Sequence, residues 1–383
     1  MLHHRLLFFA VAPPLFATTL GLLVALSTHA EAPPGPASAV TLLEAPHGAV
    51  GDFFNPWQPF DGSVWKFLEW KLFTKNPFDK SMEPEVPRVE NDGSELAGFA
   101  AMPRATWVGH ATFAVHDGDD VFLTDPHFGP RALTVKRVTP PGLPLSAIPG
   151  DAFAVISHNH YDHLDAHTVE ALPASVQWFV PLGLADWFRE RDRPNVVELD
   201  WWQSAQRGRW TITCLPSQHW SRRFDQGMNE SLWCSWLIDS GETKYYFAGD
   251  TGYFAGFEEF GRRFGPIDIA MLPIGAYEPR FMMQYQHMNP AEAYRAFGDL
   301  GARHLLGMHW GTFDLTDEPL DEPPKALREA VRAAEGDLRF VHTLALGETF
   351  DLPESDPPAA LPGINSINPS SPAARLPGDV DPH

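Results

Sequence analysis

The sequence predicts an α/β (α+β) fold in one large body, on three observations. Short β-prone runs bounded by turn formers recur along the chain, at Thr112–Val115, Val121–Leu123, Phe153–Ile156, Trp178–Val180, Leu232–Ile238, Lys244–Phe247 and Ile269–Leu272. Helical candidates lie among them at Val169–Leu172, Leu184–Arg191, Pro290–Gly298 and Pro324–Ala334, and the last two open with a proline, which a first helical turn tolerates. Hydrophobic residues make up 44% of 383 positions, enough to bury a large core.

From the amino terminus, Met1–Arg5 is weakly basic, Leu6–Leu26 is almost wholly apolar, and Ala30 offers a small residue at a cut point before Glu31. That pattern reads as a secretory signal over residues 1–30. An uncleaved membrane anchor is the alternative, since the apolar run nearly spans a bilayer, although Pro13 and Pro14 break a continuous helix. Either form puts the body outside the cytoplasm, in the periplasm if the source is bacterial. Residues 31–50 read as a Pro-rich linker. Between Phe53 and Phe73 aromatics crowd beside Lys66 and Lys71, which fits either a lid packed on the fold or a surface that settles in a lipid interface. The body is expected over 51–350, followed by a Pro-rich disordered tail over 351–383.

The chemistry starts where the run Phe153–Ile156 ends. His158, His160, Asp162 and His163 follow in the order His-x-His-x-Asp-His. Imidazole and carboxylate suit zinc, with manganese or iron as competitors. If strand geometry persists through Ser157, His158 and His160 face one side and can grip one ion, because side chains repeat every second residue. The turn at Tyr161 then carries Asp162 and His163 toward a second. Solvent-facing loop histidines are the bland alternative, and four ligand-type residues this closely spaced at the end of an apolar strand argue against it. Three later runs end in the same way: Thr211–Leu215 before His219, Lys244–Ala248 before Asp250, and His304–Met308 before His309. Each alone reads as a capped loop aspartate or a satisfied core histidine. Jointly they fit one cleft.

That order of ligand types resembles the metal-binding signature of the metallo-β-lactamase superfamily. Within it, Trp107–Thr112, Leu123–Pro126, Trp178–Gly183, Glu198–Trp202, Pro216–Trp220, Phe247–Tyr253, Pro273–Arg280, Tyr285–His287 and His309–Phe313 resemble the N-acylphosphatidylethanolamine-hydrolysing phospholipase D family, across residues 53–350. The resemblance implies a four-layer αβ/βα sandwich and two Zn2+ per chain. His158, His160 and His219 would hold one ion, Asp162, His163 and His309 the other, and Asp250 would bridge them. Asp125 matches a family aspartate required for activity, and physically it suits accepting a ligand imidazole's free N–H. His287 matches a residue near the substrate head group, with an ordinary loop histidine as the alternative. The activity implied is hydrolysis of N-acylphosphatidylethanolamine to phosphatidic acid and an N-acylethanolamine by metal-hydroxide attack on phosphorus, with Asp162 as proton acceptor and a protonated His287 at a leaving or phosphate oxygen. The segment Phe128–Lys136 is shorter than the family's corresponding loop.

Composition narrows the partners. A net charge of −21 and the lack of any Lys/Arg-rich stripe exclude nucleic acid. A phospholipid substrate and a membrane surface are the expected partners, and the resemblance extends to a homodimer. No Gly-x-Ser-x-Gly elbow occurs, so no serine nucleophile is expected. Another dinuclear hydrolase of the same fold, such as a lactonase or soluble phosphodiesterase, and a non-catalytic exported metal- or lipid-binding protein are the competing readings. Cys214 and Cys234 lie on neighbouring β-prone runs; export permits a disulfide, but two buried free thiols are the stronger expectation.

Overall fold

The computed structural model describes residues 40–60 and 64–354. The leader expected over 1–30, the stretch from 31 to 39 and the tail beyond Glu354 lie outside the described residues. Two boundaries move. Residues 40–50, expected in the linker, pack on the body: Leu43 is buried, its carbonyl accepts the Trp202 indole N–H at 2.9 Å, and His47 stacks on Trp201. At the other end Asp351 still lies in a strand and Leu352 is buried, its N–H bonded to the Pro103 carbonyl at 2.8 Å.

The first sheet is built from β1 (Ala100–Gly109), β2 (Thr112–Gly118) and β3 (Asp120–Thr124) as an antiparallel meander. A small hairpin, β4 (Arg131–Ala132) with β5 (Val135–Lys136), interrupts before β6 (Phe153–Val155), β7 (Gln177–Pro181) and β8 (Val196–Leu199) continue the sheet in parallel. The second sheet comprises β9 (Ser204–Arg207), β10 (Trp210–Leu215), β11 (Ser235–Asp239), β12 (Lys244–Phe247), β13 (Ile267–Pro273), β14 (Ala302–Met308) and β15 (Val341–His342). It runs antiparallel from β9 to β12 and parallel from β12 to β15. The last strand, β16 (Thr349–Asp351), returns to the first sheet beside β1, making each sheet seven-stranded.

Parallel neighbours need crossovers, and except between β3 and β6, where the connection carries the β4–β5 hairpin, helices supply them. In the first sheet these are α2 (Ala166–Ala171) and α3 (Ala185–Arg189); in the second, α4 (Gly256–Phe264), α6 (Pro290–Asp299) and α7 (Pro323–Ala333). Two further helices, α1 (Val64–Phe73) and α5 (Arg280–Met283), lie in the connections. Alternation sorts the layers. Phe153 and Val155 join Phe122, Trp210, Tyr245 and Phe247 between the sheets, while Ala154 and Ile156 join Val169, Leu172, Trp187 and Phe188 on the helical side. Phe122 meets Trp210 and Tyr245 edge-on at 5.5 and 5.2 Å across the two sheets. The result is the four-layer αβ/βα sandwich of the metallo-β-lactamase fold.

The expected strand Leu232–Ile238 starts only at Ser235, because Leu232 N–H bonds to the Leu182 carbonyl and Cys234 N–H to the Ser157 carbonyl, both in loops of the first sheet. Cys214 and Cys234 are buried and unbridged. Among the described residues no helix is long and apolar enough to cross a membrane.

Candidate metal centre

The parallel halves of both sheets point their carboxyl ends at one cleft, the usual place for a site in open α/β sheets. The His158 loop leaves β6, Asp125 follows β3, Asp250 follows β12, His287 lies in the loop after β13 and His309 follows β14. His219 arrives from β10.

Strand geometry stops short of Ser157, since β6 ends at Val155. Asp125 does the work instead. It is fully buried, and its Oδ1 accepts the Ser157 backbone N–H at 2.6 Å while Oδ2 accepts the Ser157 hydroxyl at 2.5 Å and lies 2.6 Å from His163 Nδ1. One carboxylate thus sets the start of the loop and the ring of His163. The Ser157 hydroxyl in turn lies 2.8 Å from His158 Nδ1. Gly249 (φ +56°) lets the chain turn into Asp250, where a Cβ would fall 2.4 Å from that of Ser157.

Two donor clusters form. In the first, His160 Nδ1 lies 2.8 Å from His158 Nε2 and 3.2 Å from His219 Nε2. In the second, Asp162 Oδ2 lies 3.5 Å from both His163 Nε2 and His309 Nε2. Asp250 faces both: Oδ2 is 3.8 Å from His158 Nε2, 3.9 Å from His219 Nε2 and 3.0 Å from His163 Nε2, and Oδ1 is 3.1 Å from His309 Nε2. The structure therefore brings all seven expected ligands together. Candidate metal groups comprise His158, His160, His219 and Asp250 on one side and Asp162, His163, His309 and His110 on the other, with ligand atoms in each group within 4.8 Å of one another.

The donor set fits cations. His163 Nε2, His309 Nε2 and Asp250 Oδ1 are buried without a hydrogen-bond partner, which is costly unless something positive satisfies the lone pairs. Burial holds the His158 and His219 imidazoles far below their ordinary value and His160 at about 4, so these rings are neutral ligands at pH 7. For Asp162 and Asp250 burial works toward neutrality but is outweighed by the facing histidines, His163 foremost, and both carboxyls sit well below their usual range. Burial likewise opposes charge on His163 and His309, yet Asp250 and Asp162 raise both, His309 to about 9. The carboxylates demand positive charge between them, which protons or divalent ions can meet.

His287 Nδ1 lies 4.0 Å from Asp250 Oδ2, with its ring 5.5 Å from that of His219 and 5.2 Å from that of His309, beside both clusters. Burial drives the ring down to about 3, which favours a neutral imidazole over the protonated form expected from the sequence. The His219 ring is oriented by the Gln286 carbonyl, 3.1 Å from Nδ1, and its backbone carbonyl accepts the Asn55 amide at 3.0 Å. Asn55 also accepts the Trp233 indole N–H, and Trp57 donates to Gln218 at 3.2 Å. This part of the aromatic segment is therefore packed support beneath His219. Phe60 stacks on Trp220 at 5.1 Å, and Trp220 lies 4.5 Å from the His160 ring, forming an aromatic wall. Sequence reasoning gave no role to Ser157 or His110; a serine next to a ligand and a lone histidine after glycine carry no spacing signal.

A family model described as the Beta-lactamase superfamily domain matches residues 121–310. The chain is 41% identical to N-acyl-phosphatidylethanolamine-hydrolyzing phospholipase D 1 of Caenorhabditis elegans, over 72% of this chain and 83% of that protein. It is 36% identical to the mitochondrial N-acyl-phosphatidylethanolamine-hydrolyzing phospholipase D of Saccharomyces cerevisiae, over 62% of this chain and 53% of that one. A possible metal-dependent hydrolase from Veillonella parvula shares the fold with a TM-score of 0.54 at 16% identity, covering 66% of this chain and all of that one. With the paired donor clusters, these likenesses place the chain among the metal-dependent hydrolases of the metallo-β-lactamase fold, and it belongs to the N-acylphosphatidylethanolamine-hydrolysing phospholipase D family.

Proposed function

We propose that the protein is a dinuclear zinc phospholipase D that hydrolyses N-acylphosphatidylethanolamine to phosphatidic acid and an N-acylethanolamine. The observation that carries the reading is Asp250, whose carboxylate faces both donor clusters at once, Oδ2 toward His158, His219 and His163 and Oδ1 toward His309. His158, His160 and His219 would hold one ion, and Asp162, His163 and His309 the other. A pair of divalent ions there would activate a water near neutral pH and neutralise the oxygens of a phosphodiester. The chain's own residues do the rest. Asp125 holds His163, the Gln286 carbonyl orients His219, and the Trp220–Phe60 wall keeps water from one side of the cleft. Asp162 is the proposed proton acceptor, and neutral His287 offers a ring N–H to a phosphate or leaving oxygen.

A lipid substrate also needs a route from the bilayer. On α1, Trp65, Leu72 and Phe73 are 79%, 66% and 81% exposed, too apolar a set for an idle surface. The helix packs beside α5, which leads into Tyr285, Gln286 and His287. We assign this face to the lipid interface, entered by apolar insertion, since a chain of net charge −21 gains little from anionic head groups. Export and a homodimer complete the reading. Mass spectrometry of the mature amino terminus tests the first and light scattering the second.

The deciding assay presents purified protein with N-acylphosphatidylethanolamine, a soluble aryl phosphodiester and a lactone, with and without chelator. Chelator-sensitive turnover confined to the phospholipid is the expected result. Preference for either soluble substrate would instead mark another dinuclear hydrolase, and no turnover at all a binding protein.

A further inference from the structure

We propose that His110 is a positioning residue of the second donor cluster, fixing the Asp162 carboxylate for its ion; this rests on the two-metal reading above. His110 sits in the turn between β1 and β2 and is buried. Its Nε2 lies 2.9 Å from Asp162 Oδ2, and its ring is 4.0 Å from that of His309 and 5.2 Å from that of His163. The other proposed ligands of this cluster are imidazoles or the bridging Asp250, whereas Asp162 is a terminal carboxylate that can swing between one- and two-oxygen contact. An N–H on one oxygen removes that freedom, as outer partners of metal ligands commonly do.

The backbone argues that this side chain is required. His110 has φ +53°, a left-handed conformation that costs a residue with a Cβ about 1–2 kcal/mol and that glycine or asparagine would adopt more cheaply. Its surroundings enforce it: the N–H bonds to the Thr312 hydroxyl at 2.8 Å, and the carbonyl accepts from His309 N–H and from the Trp107 indole, both at 3.0 Å. A single residue thus ties the His309–Thr312 turn through its backbone and the Asp162 loop through its ring. With Asp162, His163, His309 and Asp250 the cluster already has four donors, the number that closes a tetrahedral zinc shell, so the imidazole is placed as support.

The test is a zinc titration of metal-free full-length protein against a competing chromophoric chelator, for the parent, His110→Phe and His110→Gln. Phenylalanine keeps the ring and loses the N–H; the glutamine amide reaches where Nε2 sits. The parent is expected to take two ions tightly. His110→Phe should keep one tight ion, which also shows that it folds, and bind the second 10–100-fold more weakly, with His110→Gln recovering most of the loss. Two unchanged tight sites in His110→Phe would overturn the proposal, as would a His110→Gln variant as weak as His110→Phe. A parent that binds fewer than two ions would overturn the two-metal reading itself, and this inference with it.

Discussion

At the scale of single residues, the site depends on buried groups that serve one another. Asp125 is the clearest case, since burial raises its carboxyl while His163 and Ser157 pull it back down. Asp125→Asn would turn an amide N–H toward donors that need an acceptor. It is expected to weaken zinc binding 10–100-fold and to cost about 1–3 kcal/mol of stability, read by chelator competition and chemical denaturation. His287→Gln should lower turnover with two zinc ions still bound per chain; loss of metal on elemental analysis would make the residue structural instead. Away from the cleft, Glu259 is held down at about 2, chiefly by its bonds to Arg262 and then Arg263, which outweigh burial. A depressed carboxyl stabilises the fold above its unfolded value of about 4.3 and loses that contribution as pH falls toward 2. Glu259→Gln should therefore cost about 1 kcal/mol at pH 7 and progressively less on acidification, as melting temperatures at pH 7 and pH 3 would show. The ligands were legible in the sequence because four of them share one short motif and the others end apolar runs. His110 was not, because what marks it is a left-handed backbone and a partner 52 residues away.

At the scale of elements, legibility followed regularity. Lys244–Phe247 coincides with β12, and the proline-led helix at 290 is confirmed by a full capping box between Asn289 and Glu292. Strand β1 escaped because Pro103 and Arg104 interrupt its apolar pattern and its ladder shifts register there. Helix α4 escaped because Gly256 and Gly261 dilute its periodicity, although Phe257 and Phe260 are fully buried. Helix α1 hid in an aromatic cluster whose members have divided loyalties: Trp70 is buried with its indole N–H on Asp317 at 3.0 Å, while Trp65 and Phe73 face outward. If the outward face meets lipid, a Trp65→Ser, Leu72→Ser, Phe73→Ser variant should lose sedimentation with phosphatidylcholine vesicles and turnover of vesicle-borne substrate. Turnover of a short-chain soluble analogue should stay within about twofold, because surface changes of this kind leave the fold nearly untouched. Equal losses on both substrates would place α1 in the structural frame.

At the scale of the whole molecule, two sheets of mirrored plan each carry an antiparallel half and a parallel half. Zinc at 1,000 times its dissociation constant should raise unfolding free energy by about 4 kcal/mol, visible in calorimetry as a higher melting temperature that chelator reverses. An unmoved transition would mean that the donor clusters hold no ion in solution. The mirrored plan has one more consequence. His158, His160, Asp162 and His163 hang from the first sheet, whereas His219, Asp250 and His309 hang from the second. Any ion seated between them is a rivet through two half-molecules, and neither half owns a complete coordination shell. Breathing of the sheets against each other, by a ligand, a lipid surface or a distant substitution, would then reach the chemistry as a change in how tightly the rivet is held.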